Sequence, residues 1–379
     1  MIYADNAATT KISDRAFEQM LPFLREKYGN ASGQYTLGTK AKHAIEQARK
    51  QVGAAIGAEP SEIIFTSGGS EANSWVLRSV AEIYRNEPLH IITSSIEHHS
   101  VLNSCRALEQ IGVEITYLPV DSTGRVSIDV VKAAIKSNTK LVSIMLANNE
   151  IGTIQPITEI GQFLHEQGIL FHTDAVQAVG HIPVDVRELQ VDFLTASAHK
   201  FNGAKGTGVL FKRSSLELSP LVFGGKQERG LRAGTENVAG IVAASYALEE
   251  SISEMDEIAK RLREMVNATI NGVKERVPSV RVNGNTAHRL PGTVNLGFDG
   301  VSGESLMHLL DLKGVCVSTG SACASGNDEP SHVLLALGLN EQQAKSAIRI
   351  SYGKYNTPDE VKTIVAAVCD AYGKIKANQ

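Results

Sequence analysis

A lysine and an aspartate that each follow an apolar run are the residues of this chain whose types and spacing best suit chemistry. Lys200 comes just after a run that ends in Ser197, and Asp174 follows residues 169–172. A partly desolvated lysine near positive groups loses proton affinity, so its neutral amine can form a Schiff base. A buried aspartate can keep a pyridine nitrogen protonated, while Gln177 is placed to contact a ring hydroxyl. Together these residues indicate a pyridoxal phosphate site.

Neither the lysine nor the aspartate is decisive alone. A loop lysine is usually solvated, and an aspartate after a strand is often only a helix N-cap. We expect Asp174 and Gln177 to lie on one side of the first turn of a helix, because they are three residues apart. The pairing of Asp174 with Lys200, which stands beside the glycine-bearing turn 202–208, favours the cofactor.

A turn of small residues in the segment 65–73 is a candidate phosphate site. The segment predicts a strand, a turn of small residues that includes Gly69 and Ser70, and a helix start. Free N–H groups at a helix N-terminus, together with the Ser70 hydroxyl, suit a phosphate. A plain capped helix has the same pattern, so the motif by itself is a weak indication.

Two adjacent histidines, His98 and His99, follow another apolar run. Imidazole titrates near neutrality, so His98 could stack on the cofactor ring and exchange protons with a substrate. A metal site is the alternative for such a pair, but acidic and cysteine partners at ligand spacing are missing from the sequence. We therefore expect no metal, and we assign His99 to packing.

The chain has four cysteines, Cys105, Cys316, Cys323 and Cys369, without a CxxC pair. A structural zinc site and a disulfide framework are therefore not expected. Cys323 stands in a run of small residues after a strand, and a thiol on an accessible loop can act as a nucleophile. Cys316 stands within the apolar strand itself, which is typical of an inert thiol.

Arg349 alternates with the apolar residues Ile348 and Ile350 on a predicted strand, so its side chain should point away from theirs. A guanidinium in this position could clamp a substrate carboxylate with two parallel hydrogen bonds. A structural ion pair is an equally good interpretation of the pattern.

Composition points to an ordinary globular enzyme of small-molecule chemistry. The 379 residues are 42% hydrophobic and 21% charged, and the formal net charge is −4. This balance argues against direct binding to nucleic acid or to an anionic membrane. The N-terminus shows no targeting pattern and no window is apolar enough to span a bilayer, so we expect a cytoplasmic protein.

Apolar runs alternate with helical patterns through the first two-thirds of the chain. Runs at 62–66, 90–93, 141–145, 169–172 and 192–195 predict strands of a mostly parallel sheet with helices on both faces. Sites on such α/β folds lie at the carboxyl ends of strands, where the residues singled out above stand. We expect a large domain at 15–255, and a smaller α+β domain that combines 1–14 with 256–379 and carries Cys323.

These motifs, taken in order, resemble those of cysteine desulfurases of the NifS/IscS type, within the class V aminotransferase group. The resemblance covers essentially the whole chain. The segments that carry it are 4–10, 65–71, 97–98, 148–152, 174–177, 197–200, 224–237, 318–324 and Arg349. The chain departs from the group at 31–35, where a common proline and histidine are missing, and at Ala204 and Ser70, where proline and threonine are common.

The resemblance implies a homodimer of pyridoxal phosphate fold type I, with an active site at the subunit interface and a Schiff base on Lys200. Thr235 would reach the phosphate from the other subunit, and Asn149 and Arg349 would hold the substrate carboxylate. The full set that the resemblance places around the cofactor is Gly69, Ser70, His98, Asn149, Asp174, Gln177, Ser197, His199, Lys200 and Thr235.

The resemblance also implies a reaction. L-cysteine would lose its α-proton to Lys200, and the Cys323 thiolate would attack the substrate sulfur. Alanine would leave, and a persulfide would remain on Cys323 for an acceptor protein such as a U-type scaffold of iron–sulfur cluster assembly or a tRNA-thiolation enzyme. A selenocysteine lyase or another class V aminotransferase is the alternative, and a catalytically silent assembly partner is a further one.

Overall fold

The computed structural model describes residues 1–319 and 329–379. The helices are α1 (Asp14–Arg25), α2 (Thr36–Ala55), α3 (Gly69–Ile83), α4 (His99–Glu109), α5 (Ile128–Ala134), α6 (Ile157–Glu166), α7 (Val238–Ser253), α8 (Met255–Arg276), α9 (Gly303–Leu312), α10 (His332–Ala336), α11 (Glu341–Lys345) and α12 (Pro358–Ala377). The strands are β1 (Ile2–Tyr3), β2 (Ile63–Thr66), β3 (His90–Ser94), β4 (Glu114–Leu118), β5 (Thr139–Ser143), β6 (Leu170–Asp174), β7 (Phe193–Ser197), β8 (Gly208–Lys212), β9 (Arg281–Asn283), β10 (Thr293–Gly297), β11 (Val315–Cys316) and β12 (Ala347–Ser351).

The large sheet is mostly parallel, as the sequence predicted. In the described residues it has seven strands in the order β2, β8, β7, β6, β5, β3, β4. Strands β3 to β7 run parallel to their neighbours within that group, and β8 is antiparallel to both β2 and β7. Residues of β2 and β7 are buried throughout, because helices cover both faces of the sheet.

Every apolar run that predicted a strand in the first two-thirds of the chain corresponds to a strand of this sheet. Two strands of this sheet, β4 and β8, were missed. The edge strand β4 is largely half-exposed, so it has no continuous apolar run, and β8 directly follows the glycine-rich turn after Lys200, which hid its start.

The C-terminal part of the chain forms a second, antiparallel sheet. Strand β10 lies between β9 and β12, and its buried face packs with α8, α9 and α12 in a core of its own. The first residues of the chain join this part, because β1 pairs with β11 and Asp5 bridges to Ser351. The domain boundary near residue 255 stays a prediction.

Within the described ranges, each helix is too short or too polar to cross a lipid bilayer.

Candidate active site

A cavity of about 380 Å³ lies at the carboxyl ends of the central strands. The sequence singled out most of its lining: Gly69, Ser70, His98, Asn149, Asp174, Gln177, Ser197, His199, Lys200 and Arg349. Parallel strands end at a common edge of the sheet, so side chains that follow different strands converge there. The structure therefore brings these residues together, while the role of each stays a prediction.

Lys200 is placed by a short 3-10 helix, Ala198–Lys200, that begins where β7 ends. Its Nζ donates to the carbonyl oxygens of Ala7 and Ala8 at 2.6 and 2.7 Å. These carbonyls belong to segment 4–10, which carries part of the family resemblance but contains no predicted site residue. The amine is thus held inside the cavity by the far end of the chain.

Asp174 is the last residue of β6 and is 5% exposed. Its Oδ1 accepts the N–H of Val176 at 2.9 Å, and its Oδ2 accepts a hydrogen bond from Asn73 Nδ2 at 2.6 Å. Gln177 lines the same cavity and donates from Nε2 to Ala7 O at 2.9 Å. A carboxylate with two donors stays fixed in its orientation, which suits it to face a ring nitrogen.

The prediction of a helix directly after Asp174 was wrong. Residues 176–182 form successive turns, with the N–H groups of Ala178 and Val179 both donating to Ala175 O. A longer helix is prevented by Gly180, which has a positive φ of 81°, and by Pro183, which has no N–H to donate.

The candidate phosphate site is at the start of α3. The first N–H groups of a helix have no partner within it, and Ser70 and Ser197 line the cavity at the same place. A Cβ on Gly69 would lie 2.7 Å from Val176 Cγ2, so the close approach at this turn requires glycine.

His199 adds an imidazole to the same end of the cavity. Its Nδ1 is 3.0 Å from Thr9 Oγ1. Burial, together with the positive charges of Lys200 and Lys205, lowers the pKa of His199 to about 4. The ring is therefore neutral at physiological pH.

The residues present fit pyridoxal phosphate. Backbone N–H groups, hydroxyls and an imidazole suit its phosphate, a buried carboxylate suits its ring nitrogen, and a lysine amine suits its aldehyde.

His98 is the N-cap residue of α4. Its Nδ1 accepts the N–H of Ser100 at 3.1 Å and lies 2.8 Å from Ser100 Oγ. Burial lowers the pKa of His98, while the nearby Asp174 carboxylate opposes this effect.

Arg349 extends from β12 into the cavity, opposite to the buried Ile348 and Ile350. Its Nη1 donates to Asn149 O at 3.0 Å, and its Nη2 lies 2.5 Å from Asp5 Oδ1. The buried Nε has no hydrogen-bond partner among the described residues. Arg349 therefore forms an ion pair and also lines the cavity, so the two interpretations of its sequence position do not exclude each other.

Two buried glutamates flank this site. Glu97 Oε1 accepts hydrogen bonds from Ser94 Oγ at 2.6 Å and from Met145 N at 2.9 Å, and Glu150 Oε2 accepts one from Ser331 Oγ at 2.5 Å. Burial raises the pKa of Glu97 to about 8 and that of Glu150 to about 7. The hydrogen bonds of Glu97 and Glu150 stabilise the segments that contain His98 and Asn149.

Of the predicted site residues that the structure describes, Thr235 does not line this cavity. Thr235 lines a different cavity of about 230 Å³, together with Ser67 and Arg232. Cys323 lies outside the described residues.

Sequence reasoning missed several residues of the site. Asn73 and Ser100 line the cavity and contact Asp174 and His98, and Asp5 contacts Arg349. Asp5 lies within segment 4–10, which carries part of the family resemblance, whereas Asn73 and Ser100 lie just after segments 65–71 and 97–98.

The fold and the cavity together define a pyridoxal phosphate enzyme of fold type I. The chain belongs to the family described as Aminotransferase class-V, whose sequence profile matches residues 2–364. It is 50% identical to a "Cysteine desulfurase IscS" of Dictyoglomus turgidum, over 95% of this chain and 91% of that protein. It is 47% identical to a "Cysteine desulfurase IscS" of Methanosarcina thermophila, over 99% of this chain and 93% of that protein.

A solved structure of a "NifS-like protein" superposes with a TM-score of 0.93 at 39% identity, over 98% of this chain and 99% of that one. The resemblance to cysteine desulfurases of the NifS/IscS type, and the expectation of pyridoxal phosphate as cofactor, are confirmed.

Proposed function

We propose that this chain, a pyridoxal-phosphate-dependent cysteine desulfurase, transfers the sulfur of L-cysteine to Cys323 as a persulfide and releases L-alanine. The observation that carries the proposal is the shared cavity: the amine of Lys200, the carboxylate of Asp174 and the start of α3 all face one space. A small aromatic aldehyde with a phosphate is the kind of molecule that this combination holds.

The cofactor would be held at its opposite ends. Lys200 would bind the aldehyde, Asp174 the ring nitrogen and Gln177 the ring hydroxyl, with His98 against the ring face. The phosphate would be bound by Gly69, Ser70, Ser197 and His199. When bound, pyridoxal phosphate supplies a protonated ring that takes up the electron pair left at the α-carbon of the substrate.

Binding of the substrate would rest on Arg349 and Asn149. Arg349 is 2% exposed, so a carboxylate that reaches it exchanges water for a desolvated guanidinium. The Nζ of Lys200, which lines the same cavity, then takes the α-proton from the bound amino acid.

Cys323 would accept the sulfur. Its thiolate attacks the substrate sulfur, the new S–S bond forms as the C–S bond breaks, and the electron pair of that bond remains with the carbon skeleton that leaves as alanine. The persulfide then passes to an acceptor protein, for which a U-type scaffold or a tRNA-thiolation enzyme is the candidate.

We further propose a homodimer in which Thr235 completes the phosphate site of the other subunit. In support, Thr235 lies in a cavity separate from the one that its own Lys200 lines. The two-domain division near residue 255, the cytoplasmic location and the absence of direct nucleic-acid or membrane binding belong to the same proposal.

The test is mass spectrometry of the holoenzyme after incubation with L-cysteine. We expect one added sulfur on the peptide that contains Cys323. Cys323→Ser should keep the visible absorbance of the cofactor and lose alanine production, whereas Cys316→Ser should keep both. Full alanine turnover in Cys323→Ser would refute the assigned nucleophile, and turnover of selenocysteine alone would favour a selenocysteine lyase.

A further inference from the structure

The imidazole of His98 caps helix α4, and this determines where its proton is. His98 Nδ1 accepts the backbone N–H of Ser100 at 3.1 Å. A backbone N–H only donates, so Nδ1 must present a lone pair to it. In a neutral imidazole the one ring proton is then on Nε2.

The Ser100 hydroxyl supports the same arrangement. Ser100 Oγ accepts a hydrogen bond from Asn73 Nδ2 at 2.9 Å and lies 2.8 Å from His98 Nδ1. Because Nδ1 has no proton to give, the hydroxyl proton of Ser100 points to it. The other proton of the Asn73 amide goes to Asp174 Oδ2 at 2.6 Å. A continuous chain of hydrogen bonds thus joins His98 to Asp174, two of the residues expected to contact the cofactor ring.

The surroundings of His98 favour its neutral form. Burial lowers its pKa, Lys200 and His99 lower it further, and Asp174 raises it. A second proton, on Nδ1, would break the cap and place a positive charge at the N-terminus of α4, where the helix dipole opposes it. His98 can therefore not take up a proton without loss of local structure.

We propose that Ser100 and Asn73 are positioning residues that hold His98 as a neutral imidazole with its proton on Nε2, so that His98 meets the bound substrate as a hydrogen-bond donor and not as a base. This inference deepens the proposed function and rests on it. Proton abstraction is then left to Lys200, which lines the same cavity. No proton leaves His98 in this role, and its N–H orients and polarises the group that it contacts, as a neutral imidazole held at a helix N-terminus can do.

The test is ¹⁵N NMR of histidine-labelled holoenzyme without cysteine, in which the resonances of His98 are those absent from His98→Gln. At pH 7 we expect an unprotonated Nδ1 and a protonated Nε2. Ser100→Ala should move the titration midpoint of His98 upward by roughly 0.5 to 1 pH unit, because a donor to the neutral form is lost. Ser100→Thr, which keeps a hydroxyl, should restore it.

Ser104→Ala is the matched control, because Ser104 lies one turn further along α4 and its Oγ donates to Ser100 O at 2.7 Å, not to the ring. Its His98 titration should match the wild type. Should Ser100→Ala fail to fold, Asn73→Ala is expected to shift the midpoint in the same upward direction.

A proton on Nδ1 at pH 7, or equal titrations in Ser100→Ala and Ser104→Ala, would overturn the inference. In steady-state assays Ser100→Ala should lower kcat roughly tenfold with little change in KM. The reason is that a misplaced Nε2–H of His98 affects the steps that follow substrate binding. The NMR result requires no sulfur transfer. A failure of the desulfurase proposal would therefore appear in the alanine assay and leave the NMR result interpretable.

Discussion

Arg349 Nη2 lies 2.5 Å from Asp5 Oδ1, although 344 residues separate the two in the sequence. The side chains are 3% and 17% exposed, respectively, so the pair is largely shielded from water. Asp5 therefore both neutralises Arg349 and fixes its orientation in the cavity. A carboxylate substrate would meet a guanidinium that is already positioned, with its Nε still unpaired among the described residues.

Arg349→Lys should raise the KM for L-cysteine about tenfold or more, because an ammonium cannot reproduce the two parallel hydrogen bonds of the guanidinium fork. The absorbance of the bound cofactor should not change. Arg281→Lys is the control, since Arg281 pairs with Asp299 at the edge of the small sheet. An unchanged KM in Arg349→Lys would mean that the ion pair with Asp5 is purely structural.

Asp5→Asn should destabilise the fold, because it leaves the buried guanidinium of Arg349 without its counter-charge. We expect the free energy of unfolding to fall by about 2 kcal/mol, measured by chemical denaturation, because the buried guanidinium loses a charged hydrogen-bond acceptor. A free energy of unfolding equal to that of the wild type would show that other groups compensate the charge of Arg349.

Lys200→Ala should remove the visible absorbance that survives dialysis of the purified protein, since the covalent attachment of the cofactor requires this amine. Lys205→Ala changes an exposed lysine five residues further on and should leave the spectrum intact. If Lys200→Ala kept the wild-type spectrum after pyridoxal phosphate was added, the assignment of the Schiff-base lysine would be lost.

Thr235 can be assigned to one subunit or the other by a hybrid dimer. One subunit carries Lys200→Ala and the other carries Thr235→Ala. If Thr235 serves the partner's phosphate site, the hybrid contains one intact site and should show about half of the wild-type activity at limiting pyridoxal phosphate. If Thr235 serves its own subunit, the hybrid should be no better than the Thr235→Ala homodimer at that concentration.

His172 should make stability depend on pH. It is fully buried between Ser143 Oγ and Thr195 Oγ1, and burial lowers its pKa to about 3. Between pH 3 and pH 6.5 the unfolded chain binds a proton on His172 and the folded chain does not, so acidification favours unfolding. From pH 7 to pH 4.5 this costs roughly 2 to 3 kcal/mol.

His172→Gln should remove that part of the pH dependence, measured as the free energy of unfolding at both pH values. His165→Gln, on the exposed side of α6, is the matched control. An identical slope in His172→Gln and the wild type would contradict the prediction.

The sheet and much of the site could be predicted because apolar runs mark buried parallel strands, and their carboxyl ends meet at one edge. That rule alone placed Ser70, His98, Asp174 and Lys200 near one another. It could not find Asn73 or Ser100, since each stands in a helix and looks like an ordinary polar helix residue. Nor could it show that Asp174 is followed by turns. The three-residue spacing of Asp174 and Gln177 suits a helix, but Gly180 has a positive φ that ends any helical segment there.

By itself the sequence determined the class of chemistry, because an amine, a carboxylate, an imidazole and a thiol have intrinsic reactivities that their strand-end positions make usable. Only the tertiary structure decided which groups act on one another. It placed the carbonyls of Ala7 and Ala8 on Lys200, Asn73 on Asp174 and Asp5 on Arg349. Hydrogen bonds and burial depend on distances between residues that are remote along the chain, and a local pattern carries no information about those distances.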